Sequence, residues 1–322
     1  MSLRVLWSIH LYQPYHNCGA ESMAHQINKF LIKQGHHVRV ILHQSERFKL
    51  SRPEMYEGVE LMPATGSVDA FRWADVVLTH LDFTQFTMIM ADTAKRPIVH
   101  FIHNDAEYSC ICNAVKNNHV VYNSDWVAKK LNYKWPSMVL HPPCDHEYYN
   151  VTEKPEENEY ITLINLNKNK GGDQFYRIAE AMPERKFLGV VGSYDEQMVR
   201  QLPNVTIVAN TPEILEQYKK TKILLMPSKY ESWGRTATEA MSSGIPVICT
   251  ETPGLKENCG DAGVYVKNRN DIKQWVRAIK KVDENYKTIS DKCRARAKQL
   301  NPLTELQQLE KFLYDAKQTY RN

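Results

Sequence analysis

The sequence predicts an α/β chain of two Rossmann-like, doubly wound domains, each built on a parallel sheet. Three observations carry this. Short apolar runs alternate with amphipathic segments along most of the chain, the pattern of parallel strands joined by crossover helices. One polar stretch, Val151 to Glu159, interrupts the pattern, which then restarts. The length of 322 residues suits about two domains of ~150 each. The expected division is a first domain over 1–152 and a second over 153–302.

In the first half, Leu3 to Ile9 is a buried strand. A helix follows from about Ser22 to Gln34, with Ala24, Ile27, Phe30 and Leu31 on one face and Gly35 as its stop. Val38 to Leu42, Ala74 to Thr79, Pro97 to Ile102 and His119 to Tyr122 read as further strands. Asn123-Ser124 is the expected cap of a helix over Asp125 to Leu131. The second half restarts with a strand at Tyr160 to Asn165 and a helix at Gly172 to Met182. Phe187 to Val191, Val205 to Val208, Ile223 to Met226 and Val247 to Thr250 are its next strands. From Asp271 the chain is helical and charged, broken at Asn301-Pro302.

Composition excludes some classes and leaves others open. No apolar run reaches the length of a membrane span, and the N-terminus lacks a signal-peptide shape. Seven cysteines at irregular spacing, without Cys-x-x-Cys, read as free thiols in a reducing, cytoplasmic compartment. A net charge of +4 neither demands nor forbids an anionic partner.

The most informative segment is Pro227-Ser228-Lys229-Tyr230-Glu231-Ser232-Trp233-Gly234-Arg235-Thr236-Ala237-Thr238-Glu239-Ala240. It follows a strand, carries Glu231 in a loop and Glu239 about one turn into a helix, and leads through Gly244-Ile245-Pro246 to another strand. Backbone N–H groups at the start of that helix suit a phosphate. Asn165 to Gly172 ends the first strand of the second half, and Lys170 there puts a point charge where parallel sheets bind ligands. The arrangement fits a nucleoside diphosphate carrying a sugar.

Glu231, Gly234 and Glu239 resemble the E-x7-E signature of family 4 retaining glycosyltransferases, which have the GT-B fold. Thr252-Pro253-Gly254-Leu255-Lys256-Glu257 is similar to that family's Gly-Gly-Leu-x-Glu loop, with Thr-Pro replacing the first glycine. Lys170-Gly171 resembles its Lys-Gly, and Cys18-Gly19-Ala20-Glu21 its Gly-Gly-x-Glu loop. Relatives carry an arginine shortly before the lysine, where this chain has Asn165 and Asn167; Arg235 is the substitute considered.

The resemblance implies two domains facing each other across a cleft, with the final helix, about 303–322, returning to the first domain. It implies transfer of a sugar from a UDP- or GDP-sugar to a hydroxyl acceptor, with retention, no cofactor and no metal. Lys170 would neutralise the leaving diphosphate, Glu231 would hold the donor sugar and Glu239 the ribose, and His103 would touch the sugar near the reacting carbon. Gly19, Trp233, Gly234, Arg235 and Thr236 complete the implied donor-binding set. No Asp-x-Asp pair stands at a strand end, so a metal-bound diphosphate is not expected. The acceptor expected is a saccharide. Two alternatives stay open: a DNA acceptor, as in virus-encoded enzymes that glycosylate hydroxymethylated bases, and an inactive nucleotide-sugar-binding protein.

Overall fold

The computed structural model describes residues 2–16, 18–44, 50–65, 67–106 and 118–319. They form two compact units, residues 1–143 with 302–322, and residues 144–301. Residues 144–152, expected with the first domain, pack with the second unit. Cys144 and Tyr149 lie in its core, and the Ser243 hydroxyl donates to Tyr149 O and accepts from Val151 N.

The first unit comprises β1 (Arg4–Ile9), α1 (Gly19–Lys33), β2 (His37–Leu42), β3 (Glu54–Tyr56), β4 (Val59–Pro63), α2 (Ser67–Trp73) and β5 (Val76–His80). It continues with α3 (Thr84–Thr93), β6 (Ile98–Ile102), β7 (Asn118–Tyr122), α4 (Asp125–Leu131) and β8 (Ser137–Val139). Among the described residues the strands form an eight-stranded sheet, order β3-β4-β2-β1-β5-β6-β7-β8, antiparallel only where β3 meets β4. Alternate residues face opposite sides, so one strand serves two cores. Val5, Trp7 and Ile9 of β1 join the core that includes α1, while Leu6 joins the core under α2, α3 and α4. Double-sided burial is why these strands read as unbroken apolar runs.

The second unit holds β9 (Tyr160–Ile164), α5 (Gly172–Ala181), β10 (Lys186–Val190), β11 (Val205–Val208), α6 (Ile214–Tyr218), β12 (Thr221–Met226) and α7 (Arg235–Ser242). Then come β13 (Val247–Thr250), α8 (Pro253–Cys259), β14 (Val264–Val266), α9 (Ile272–Glu284) and α10 (Tyr286–Gln299). Its parallel sheet has the order β11-β10-β9-β12-β13-β14. The last helix, α11 (Leu303–Thr319), belongs to the first unit. It packs on α1, β5 and β6 and buries Leu306, Leu309, Leu313 and Ala316, each buried leucine contributing about 1.5–3 kcal/mol.

Some element ends follow local chemistry and others do not. Gly35 takes φ +85 and stops α1 as expected. Thr252 caps α8, its hydroxyl accepting from Leu255 N at 3.3 Å, with Pro253 in the first turn. That accounts physically for Thr-Pro where the resemblance has a glycine. The expected Asn123-Ser124 cap is not made: Ser124 makes no side-chain capping bond to α4. Its hydroxyl donates to Asn123 Oδ1, and Asn123 Nδ2 donates to His103 O at 2.8 Å.

Candidate functional site

In the second unit β9 has β10 on one side and β12 on the other, so the strand order reverses between β9 and β12. Ligands of open parallel sheets bind at such a reversal, beyond the carboxyl ends of the strands. The loop after β9 carries Lys170 and the loop after β12 carries Glu231. The two charged groups meet there, Lys170 Nζ lying 2.7 Å from Glu231 Oε1.

The Lys170 loop is held from several sides. Asn165 Oδ1 accepts from Asn167 N, and Asn167 Oδ1 accepts from Lys170 N at 2.8 Å. Both asparagines are buried, so at the place where relatives carry an arginine they brace backbone. Arg269 Nε donates to Pro227 O, tying in the facing loop. Gly171 has φ +94, and a Cβ there would lie 2.6 Å from Pro227. Burial works against the Lys170 ammonium, but Glu231 and Tyr194 outweigh it and raise its pKa. The lysine stays charged.

Glu231 is 6 % exposed and also accepts from Ser228 Oγ at 2.9 Å. Ser228 O in turn accepts from Thr250 Oγ1 of β13. Gly254 of α8 sits under this loop: a Cβ would approach Ser232 O to 2.4 Å and Glu231 O to 2.5 Å. Gly234 is the N-cap of α7 at φ +85, with no side chain of its own to cap the first N–H groups. Asn258 Nδ2 donates to the carbonyls of Trp233 and Gly234 and holds this turn.

Glu239, 7 % exposed, accepts from the Tyr218 hydroxyl at 2.7 Å. Arg235 Nε lies 2.9 Å from its Oε1, without the alignment of a hydrogen bond. Burial, and then Glu239, push the Tyr218 phenol well above its ordinary pKa. The Arg235 side chain, 11 % exposed, faces Glu239 and Tyr149 inside the domain. The Trp233 ring is buried, and the Thr236 hydroxyl turns inward to Met226 Sδ at 3.6 Å. What Trp233, Gly234 and Thr236 present at the mouth of the sheet is therefore backbone.

In the first unit Gly19 opens α1, and nothing lies within 4 Å of a Cβ built on it. Glu21, two residues on, is buried, with His10 Nε2 at 3.4 Å and His16 Nδ1 at 3.5 Å from its Oε1. His103 follows β6, with Nε2 2.9 Å from His80 Nδ1. Burial, against a smaller opposing effect of Glu21, lowers the His103 pKa to about 4, and burial brings His100 to about 3. His10, Glu21 and His80 bring possible ligand atoms within 4.8 Å of one another, as do His16, Cys18 and Glu21. His141 is tied to Glu305 at 2.7 Å and braces α11.

The sequence reading assigned no role to Ser228, Tyr218, Asn258 or His80. Ser228 stood within the quoted motif, and His80 stands at a strand end as His103 does. Tyr218 and Asn258 have no local signal. Cys144, Cys249, Cys259 and Cys293 are free, as expected; Cys110 and Cys112 lie outside the described residues. Among the described residues no helix is long and apolar enough to cross a membrane.

Two Rossmann-like domains, each on a mainly parallel sheet, with a lysine–glutamate pair at the strand-order reversal of the second, give the chain the GT-B fold. Residues 147–300 match the model of the family described as Glycosyl transferases group 1, and the second unit is a domain of that family. A 55-residue stretch is 42 % identical to O-antigen chain mannosyltransferase B of Escherichia coli, covering 17 % of this chain and 14 % of that protein. Matches to curated relatives span between 14 and 39 % of those proteins' lengths. Solved structures match over nearly the whole chain. A glycosyltransferase from Rickettsia africae ESF-5 superposes with TM-score 0.74 at 15 % identity, covering 98 % of both chains. Anabaena Alr3699/HepE, solved with UDP and glucose, gives 0.75 at 16 % identity, covering 97 % of this chain and 99 % of that one.

Proposed function

We propose that this protein transfers a sugar from a UDP- or GDP-sugar to a hydroxyl of a saccharide acceptor, with retention at the anomeric carbon and no metal on the diphosphate. The observation that carries the reading is the Lys170–Glu231 pair at the strand-order reversal, beside the uncapped start of α7. Negative charge grows on the diphosphate as the sugar–oxygen bond breaks. A fixed ammonium and helix N–H groups stabilise that charge without having to reorganise. Both contacts to Glu231 described above fall on Oε1, which leaves Oε2 to accept from a sugar hydroxyl. Glu239, anchored by Tyr218, is the ribose acceptor in this reading. Arg235, turned to Glu239, acts through its backbone N–H and by orienting that carboxylate.

His103 is the residue assigned to the donor sugar, where a neutral imidazole meets an oxocarbenium-like centre without repelling it. No carboxylate is assigned as a covalent nucleophile, and retention follows from attack on the face the diphosphate leaves. The saccharide acceptor is inferred from relatives named as O-antigen chain mannosyltransferases. The reducing, cytoplasmic setting is inferred from the free cysteines.

The test is thermal-shift screening against UDP, GDP, ADP and their sugars, followed by transfer assays with and without EDTA. A ligand of the folded state raises the melting temperature with the logarithm of its concentration over Kd. UDP or GDP is expected to stabilise, and transfer to survive EDTA. No stabilisation by any nucleoside diphosphate refutes the donor site. Loss in EDTA, restored by Mn2+ or Mg2+, refutes the metal-free diphosphate.

A further inference from the structure

His80 ends β5 and His103 follows β6, two strands that pair in parallel within the first unit. His80 is fully buried, and its Nδ1 lies 2.9 Å from His103 Nε2, with ring centroids 4.9 Å apart at 67°. Burial lowers the pKa of both rings, His103 to about 4 and His80 well below its ordinary value. At neutral pH neither ring carries a second proton. The contact is then one N–H donating to one bare nitrogen, and only two arrangements of the proton exist.

His80 is enclosed on its far side as well. Its Nε2 is buried with no hydrogen-bond partner among the described residues. Ligand-capable atoms of His80, His10 and Glu21 lie within 4.8 Å of one another, and Glu21 is only 2 % exposed. In one of the two arrangements His80 Nδ1 is bare and accepts from His103 Nε2–H, which leaves His103 Nδ1 bare in turn.

We propose that His80 is a positioning residue for His103: it fixes the ring and its tautomer, so that His103 presents a bare Nδ1 to accept from a hydroxyl of the bound sugar. Asn123 Nδ2 already holds the His103 main chain through its carbonyl at 2.8 Å. The ring torsion is the freedom that His80 removes. The functional half of this inference rests on the assignment of His103 to the donor sugar; the hydrogen bond itself does not.

The experiment combines imidazole 15N NMR of the full chain with kinetics of His80→Leu, His80→Asn, His103→Ala and the double variant. In the unsubstituted protein His103 is expected as the Nε2–H tautomer. His80→Leu should mix its tautomers and lower kcat on the order of 100-fold, the scale of a misplaced catalytic group. His80→Asn places a carboxamide oxygen near the lost Nδ1 and should restore both the tautomer and most of kcat. In a His103→Ala background His80→Leu should cost nothing further.

An Nδ1–H tautomer of His103 in the unsubstituted protein overturns the proposal even if no variant folds. An unchanged His103 spectrum in His80→Leu, or losses that add in the double variant, also overturn it. Full turnover by His103→Ala refutes the sugar contact instead, and the NMR arm still decides the His80–His103 bond.

Discussion

Lys170→Ala separates what the lysine does for stability from what it does for turnover. The side chain is 25 % exposed and its partner Glu231 only 7 %, so truncation leaves a buried carboxylate without its cation. Removing one member of a fully buried pair costs about 3–5 kcal/mol. Here the Ser228 hydroxyl remains 2.9 Å from Glu231 Oε1, and water reaches the lysine side. The expected loss is therefore about 2 kcal/mol, close to one charged hydrogen bond. For a domain of this size that lowers the melting temperature by roughly 4–8 °C.

Turnover should fall further. One electrostatic donor to a developing oxyanion is worth about 3 kcal/mol, roughly 100-fold in rate. Adding Glu231→Gln replaces the stranded charge by an amide and should recover part of the stability but none of the turnover. The assays are thermal melting and steady-state transfer, measured well below the variant's melting point. A folded Lys170→Ala protein with kcat/KM within a few-fold of the unsubstituted enzyme would refute the diphosphate role. Full turnover in the double variant would do the same.

Glu239→Ala should weaken binding of the free nucleoside diphosphate strongly, because each charged hydrogen bond to a ribose hydroxyl is worth ~1.5–3 kcal/mol, whereas Glu231→Ala should spare it and impair binding or transfer of the intact donor. Calorimetry with both ligands decides; equal losses in both variants for both ligands sink the division of labour. Gly254→Ala drives a Cβ into the main chain of Ser232 and Glu231, so both melting temperature and turnover should fall, and normal values for both would contradict the packing. The histidines His80, His100 and His103 have folded pKa values below that of an unfolded histidine. The unfolded chain therefore binds protons first, and stability is full above about pH 6.5 and falls as pH drops toward about 4, by on the order of 1.4 kcal/mol per pH unit per histidine. Melting curves across that window check the sign, and a first unit as stable at pH 5 as at pH 7.5 would refute it.

Most of the central strands, and their order along the chain, were legible because apolar periodicity is written locally, whereas α2, α3, β8 and β14 were not foreseen. Asp125–Leu131 and Val205–Val208 have the bounds their patterns suggest. The β3–β4 hairpin was not foreseen: Glu54–Tyr56 is short, mostly exposed and at the sheet edge, with no buried face to impose alternation. Glu231, Glu239 and Lys170 were legible as candidates for a similar reason, since each lies in a local pattern of strand, loop and helix start. What holds these groups was not. Lys170 meets Glu231 across 61 positions because β9 and β12 are neighbours, and His80 meets His103 because β5 and β6 are. Arg235 reads in sequence as a free cation at a helix start, yet the fold turns it onto Glu239. Strand adjacency is decided by hydrogen bonding and packing between distant segments, and no local window of sequence encodes it. The residue types of the site were therefore set by sequence, whereas their partners and proton states were set by the order of strands in the sheet.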